Sequence, residues 1–381
     1  MMEKHKYTIY RNCFMRKTVI TIIFGLFFLF ACTSEPTETQ DVVEEIKIGV
    51  LSPITGPLPH FAEDLKESYE LAIDEFNQKH TDKKIKLIYE DTKCIDLKAT
   101  TTALKKLKEV DDVVAVLGPF CGGTNVVTGE FSKNNDLFVI SPGDNFDKQS
   151  NYKFNTRYLI KKESELLAEY ALKQNWTKIG IIHYNNEWGQ AYRDNVRRVV
   201  ENAGGEIVGA EAYTFDDLNV RTSLLKSVEN GAEALFILDG TQGELFEQVI
   251  ELGIKLPIIT EWEIELASPE RNKNIFNGAV YFLPVGEETD FHKKFIERYG
   301  EQQINMVHVD AYDAAKILTL ALEACEDYSI DCMADYIKSL ENYQGAGGKL
   351  TFNPDTWSFE KPFIAKTVKN GEFVNLEEAT E

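Results

Sequence analysis

Residues 46–77 read IKIGVLSPITGPLPHFAEDLKESYELAIDEFN, and a change of period inside this stretch decides the fold. Ile46–Leu51 is a short apolar run, the pattern of a buried strand. From Glu63 to Lys79 the apolar residues Leu65, Tyr69, Ala72, Ile73 and Phe76 fall at helical spacing. Strand, loop and helix in this order form the repeating unit of a parallel sheet covered on both faces.

The unit recurs outward from there. Strands are expected at Ile85–Tyr89, Val113–Leu117 and Leu137–Ile140, with helices at Leu97–Val110 and Thr124–Asn134. A second series runs from helix Glu163–Gln174 through strand Lys178–His183, helix Gly189–Ala203, strand Glu206–Tyr213, helix Arg221–Glu229, strand Ala234–Leu238 and helix Glu244–Leu252 to strand Pro257–Ile259. Strand Ala279–Leu283 follows, then helices near Phe291–Tyr299, Ala311–Ala324 and Met333–Leu340 and a β-like end. The fold class is therefore α/β, with two doubly wound lobes. Ligands of such sheets bind beyond the C-terminal ends of the strands. That rule singles out the loops after Leu51, Leu117, Ile140 and His183.

Upstream, Val19–Ala31 (VITIIFGLFFLFA) is apolar and follows Lys4, Lys6, Arg11, Arg16 and Lys17. A basic start, a short apolar core and a small residue make a secretory signal. The run is too short for a comfortable span of ~20 residues. Leu29-Phe30-Ala31-Cys32 looks like a bacterial lipobox, whose cysteine takes a diacylglycerol after cleavage; Phe30 is bulkier than the usual residue there. A plain signal or an uncleaved anchor is the alternative. Met15 begins a more ordinary signal than Met1 does. The expected organisation is thus signal 1–31 and a polar tether 32–45, able to reach ~40 Å when stretched. The body works outside the cytoplasm, held to the membrane by lipid on Cys32.

The net charge of the chain is −21, and removal of the basic signal makes it more negative. Such a surface repels phosphate backbones, so no nucleic-acid partner is expected. Past Cys32 four cysteines remain: Cys94, Cys121, Cys325 and Cys332. In an oxidising compartment they suggest two disulfides with three possible connectivities, of which 94–121 and 325–332 are the most local. Zinc is the rival reading, but no C-x-x-C occurs and no His lies near either pair in sequence. No metal and no cofactor is expected. Nor is an enzyme: G-x-S-x-G, H-E-x-x-H and the P-loop are absent, and Cys121 has no companion His in its loop.

Taken in order, the loops resemble one family. Residues 46–77 are similar to the opening of the leucine/isoleucine/valine-binding proteins, the type I periplasmic binding proteins of ABC importers. Val113–Gly123 (VVAVLGPFCGG), Phe138–Asn145 (FVISPGDN), Lys178–Gly189 (KIGIIHYNNEWG), the segment IITEWEIELAS, Tyr312–Ala314 and GGKLTFNPD continue the resemblance over nearly all of 46–375. Many members carry a disulfide where Cys94 and Cys121 stand, and a subset carries a pair like Cys325–Cys332. The resemblance implies two lobes joined by three crossovers near Arg157–Ile160, Leu283–Gly286 and Gly345–Thr351. Lobe one is then 46–158 plus 286–346, and lobe two 159–284 plus 350–381. Ligand lies between them, and a permease with its ATPase is the partner. The other reading of the same fold is a sensor that reports a ligand to a membrane kinase or chemoreceptor.

The site residues follow from the ligand an amino-acid binder would hold. A carboxylate suits the N–H groups of Gly122, Gly123 and Thr124 at a helix start. In the loop Gly143-Asp144-Asn145, Asn145 can donate to a carboxylate. Asp144 would repel one unless it turns away or pairs with an ammonium, and so leaves room for a ligand with an extra positive or hydroxyl group. The resemblance implies aromatic covers at Phe61 and Trp188 and an ammonium partner at Glu261, followed by Glu263 and Glu265 in alternation. Thr241 is a further candidate in a strand-to-helix loop. Many family members have a serine where Gly122 stands.

Overall fold

The computed structural model describes residues 43–379, apart from 145, 147–149, 242, 268–274 and 285–288. The signal, Cys32, the tether through residue 42 and Asn145 lie outside the described residues. Among the described residues no helix is long and apolar enough to cross a membrane.

The first sheet contains β1 (Glu44–Ser52), β2 (Lys83–Asp91), β3 (Ala115–Leu117), β4 (Phe138–Ser141) and β5 (Lys153–Asn155). Its order is β2-β1-β3-β4-β5, and every pairing is parallel. Helices α1 (His60–Lys79), α2 (Leu97–Glu109) and α3 (Gly122–Asn135) connect its first four strands. Leu65, Tyr69, Ala72, Ile73 and Phe76 of α1 are all buried, as their spacing requires. Leu65, Ile73 and Phe76 each contribute roughly 1.5–3 kcal/mol through removal from water.

After α4 (Ile160–Lys173) the second sheet begins with β6 (Lys178–Tyr184). It continues through α5 (Glu187–Asn202), β7 (Glu206–Tyr213), α6 (Arg221–Glu229), β8 (Ala234–Ile237), α7 (Glu244–Glu251), β9 (Ile258–Ile259) and β10 (Val280–Pro284). These strands pair in parallel in the order β7-β6-β8-β9-β10. The expected two doubly wound lobes are present. The chain then returns to the first lobe through α8 (Asp290–Tyr299), α9 (Met306–Ala324) and α10 (Ile330–Lys338). Helix α9 lies along α1 and buries Val307, Ala311, Ala314, Leu318 and Leu322. It starts five residues before the expected Ala311, because the Asn305 side chain accepts from the Val307 and His308 N–H groups and caps an earlier turn.

The third crossover needs a correction. It was expected at Gly345–Thr351, with lobe two resuming at 350. Instead β11 (Tyr343–Gly345), β12 (Gly348–Asn353) and β13 (Ser358–Glu360) form a small antiparallel sheet against the first lobe. Phe352 and Trp357 pack on Phe154 of β5, and the Trp357 indole N–H donates to the Lys153 carbonyl at 2.9 Å. These aromatic side chains hold 350–360 beside sheet one. The chain joins the second sheet at β14 (Phe363–Lys369), antiparallel to β10, and ends it with β15 (Glu372–Asn375). The two disulfides join Cys94 to Cys121 and Cys325 to Cys332.

Candidate functional site

The C-terminal ends of the strands of both sheets face one narrow gap. From the first lobe it is walled by Leu58 after β1, Cys94 after β2, Phe120, Cys121 and Gly122 after β3, and Asp144 after β4. From the second come Tyr184, Asn186 and Trp188 after β6, Phe215 after β7, Gly240 after β8 and Glu263 after β9. The space between these walls is about 40 Å³, room for a few water molecules. The lobes are therefore close together. A Cβ on Gly122 would lie 3.4 Å from the Trp188 Cβ, and one on Gly123 would lie 2.7 Å from Glu187 Oε2.

Local structure fixes each wall. The loop before α3 turns at Gly118, whose φ of +94° favours glycine and where a side chain would collide with the Leu51 carbonyl. The Cys94–Cys121 disulfide clamps the start of α3. Asp144 is drawn under that start: its carboxylate lies beside the Gly122 N–H, which lowers its pKa, and its Oδ1 lies 3.7 Å from Arg157 Nη1. Burial pushes its carboxyl up to about 6, against the pull of Arg157 and that N–H. On the other lobe, Asn186 caps α5 by accepting from the Gly189 N–H at 2.9 Å, which leaves Trp188 on the first turn at the gap.

Glu263 belongs to the short 3₁₀ turn Trp262–Leu266. Among the described residues no hydrogen bond or ion pair engages its carboxylate. Burial raises its pKa, and Asp144 raises it further. Glu261 stands behind it, 1% exposed. One oxygen accepts from the Glu263 N–H at 2.8 Å, and the other is buried without a partner among the described residues. Burial and then the Glu263 charge raise Glu261 well above the usual carboxylate range. Glu163, buried and accepting from the Tyr192 hydroxyl, is pushed up to about 7 by burial. Acid thus outweighs base around the gap. The nearby cation is Arg157, whose Nε lies 3.2 Å from Asp310 and whose guanidinium stacks over Phe120 and Trp262 at 4.9 and 5.2 Å.

The structure brings together only part of the expected set. Gly122, Asp144 and Trp188 wall the gap, and Gly123 faces Glu187 beside it. Thr124 is fully buried and donates to the Cys121 carbonyl at 2.7 Å, so it serves its own helix turn. Gly143 is packed against the Phe120 carbonyl, where any side chain would collide. Thr241 donates to the Asp239 carboxylate. Phe61, 1% exposed, supports Phe120 from behind at 4.5 Å between ring centres. Glu261 caps the turn that presents Glu263. Sequence reasoning missed Phe120, Tyr184, Asn186 and Phe215. The first three lie in loops that the strand-end rule had marked, whereas Phe215 carried no such signal.

A wider groove of about 430 Å³ lies at the hinge, between Tyr158–Lys162 and Thr356–Phe363. Its walls are two of the crossovers themselves, away from the strand ends. Among the described residues no cluster of side chains suits a metal ion.

The profile of a family described as periplasmic binding protein matches residues 45–372. An amino acid binding protein of Pseudomonas aeruginosa is 23% identical over 219 residues, which span 55% of this chain and 58% of that relative. Leu/Ile/Val-binding protein homolog 8 of Brucella abortus is 21% identical over 87% of this chain and 90% of its own. Two solved structures share the fold. One is an ABC-transporter solute binding protein of Rhodopseudomonas palustris in complex with p-hydroxybenzoic acid (TM-score 0.77, 16% identity, 87% of this chain and 95% of that one). The other is a branched-chain amino acid transporter substrate binding protein of Streptococcus pneumoniae in complex with isoleucine (TM-score 0.74, 20% identity, 87% and 98%).

Proposed function

The chain belongs to the periplasmic binding protein family, and we propose that it captures an amino acid or a related small polar solute between its lobes and delivers it to an ABC permease. The observation that carries this reading is the gap itself, walled by Phe120, Gly122 and Asp144 from one lobe and by Tyr184, Trp188, Phe215 and Glu263 from the other. A ligand touching both walls favours the closed form, because only that form contacts it on two sides. The lobes are taken as 44–158 with 289–360, and 159–284 with 363–379. The lipid on Cys32 and the short tether keep the body outside the cytoplasm and next to its permease. The protein acts as a binder, without catalysis.

Thermal melting of the full chain against amino acids, amines, amides and aromatic acids tests the reading. A ligand present at 100 times its dissociation constant adds about 2.7 kcal/mol. A flat melting point across all four classes contradicts solute capture. Cells lacking the protein should lose uptake of the ligand so found; unchanged uptake with a lost response to that ligand would favour the sensing role. Replacement of Cys32 by Ser should release the protein from the membrane fraction, and retention there would remove the lipid anchor.

A further inference from the structure

We infer that the gap takes an organic cation without a carboxylate, an amine or quaternary ammonium, rather than a zwitterionic amino acid. The inference rests on the solute-capture reading above and narrows its ligand class.

Three features of the walls support it. The seat for a ligand carboxylate is the start of α3, and Asp144 already sits there: its Oδ2 lies 3.2 Å from where a Gly122 Cβ would be, beside the Gly122 N–H. A ligand carboxylate brought to the same N–H would meet that charge within a few ångströms, an arrangement that two carboxylates avoid. Across the gap stands Glu263, whose carboxylate has no partner among the described residues, with the unpaired oxygen of Glu261 behind it. Arg157 offsets only part of this charge: its Nη1 lies 3.7 Å from Asp144 but its Nε is held at 3.2 Å by Asp310, so this one cation is shared among Asp310, Asp144 and Glu263. The remaining walls are aromatic: Phe120, Tyr184, Trp188 and Phe215, with Tyr184 and Phe215 at 4.7 Å between ring centres. Aromatic faces attract a desolvated ammonium. A cation between Asp144 and Glu263 would neutralise both at once.

The arrangement also gives the binding a pH dependence. Burial raises both carboxyls, and a bound cation would favour their ionised forms, so cation binding should release protons and tighten as pH rises from about 6 to 8.5. The charged groups that face them are Arg157 for Asp144, and Asp144, Arg157, Asp239 and Glu163 for Glu263, with Glu261 on the same turn.

Titration calorimetry of the full chain at pH 8 with matched pairs tests the inference: 3-methylbutylamine against leucine, tyramine against tyrosine and cadaverine against lysine, with choline, 4-hydroxybenzoate and benzamide added. At least one amine or choline should bind ten or more times tighter than any carboxylate-bearing probe. Asp144→Asn and Glu263→Gln should each weaken that binding tenfold or more while melting no lower than the parent. Amino acids binding as tightly as their amines, or an aromatic acid binding while amines do not, overturns the cation assignment and leaves solute capture standing. Silence from every probe overturns both. Should either variant melt lower, the pH dependence of the parent decides: binding that tightens as pH falls overturns the inference.

Discussion

At the scale of single residues, the buried titratable groups carry opposite signatures. Glu261 has a folded pKa raised above its unfolded value, because burial and Glu263 disfavour its charge. It therefore costs stability as pH rises through the unfolded value, about 4.3. Glu261→Gln should leave melting near pH 4 unchanged and raise it by several degrees at pH 8. An equal shift at both pH values would show that the carboxyl is not the cause. Lys153 works the other way. It is 4% exposed, donates to Asn155 Oδ1 at 2.8 Å, and is brought down to about 7 by burial. Its cost is complete below pH 7 and fades as pH approaches the unfolded value near 10.4. Lys153→Met should accordingly stabilise most at or below pH 7, with a gain that shrinks steadily to pH 10, measured by urea unfolding. A gain independent of pH would point to packing alone.

At the scale of elements, what was legible in the sequence depended on how a segment is buried. Strands β1, β6, β7 and β8 stood out because each carries an apolar, β-rich run. Strand β5 has only Lys153, Phe154 and Asn155, two of them polar, and its burial comes from Trp357 and Phe352 arriving from 200 residues away. No local pattern announces that. Helix starts were read late for a related reason: α1 and α4 begin after Pro59 and Leu159, neither of which caps through its side chain. At the gap, Gly122 and Asp144 were legible from their places at strand ends, and Trp188 from the resemblance. The resemblance points to Glu261 as the ammonium partner, whereas the 3₁₀ turn Trp262–Leu266 puts Glu263 at the gap and Glu261 behind it, as the cap of that turn. The two disulfides, both anticipated, act on different elements. In the loop-entropy picture, closing 27 residues is worth about 3.5 kcal/mol and closing 7 about 2.5 kcal/mol. Only the first holds the start of α3 at the gap. Paired Ser replacements at Cys94 and Cys121 should lower both stability and ligand affinity, while those at Cys325 and Cys332 should lower stability alone. Equal affinity loss in the two variants would deny α3 its part in the site.

At the scale of the whole molecule, the first and third connections between the two sheets meet at one buried carboxylate. Asp310, fully buried on α9, holds Arg157 of the first crossover at 3.2 Å and Lys361 of the third at 2.6 Å. The Asp310 carbonyl also accepts from Thr156 Oγ1 at 2.7 Å. Removing the carboxylate strands two buried cations, so Asp310→Ala should cost about 3–5 kcal/mol in chemical unfolding; a loss below 1 kcal/mol would show that the hinge does not depend on it. The gap at the other end of the lobes is about 40 Å³, room for a few waters, so the proposed capture calls for a solute to enter while the lobes are apart. The distance between the Trp188 Cβ and the place of a Gly122 Cβ is 3.4 Å, close to the Cβ–Cβ separation that a disulfide spans. A Gly122→Cys, Trp188→Cys double variant should therefore oxidise to a bridge between the lobes, verified by peptide mapping because Cys121 is adjacent. X-ray scattering of the oxidised form should then be the same with and without ligand, and should match the compact, ligand-bound profile of the parent. Reduction of that bridge should restore the ligand-dependent change. If the parent itself scatters identically with and without a ligand shown to bind by calorimetry, capture does not proceed by lobe closure.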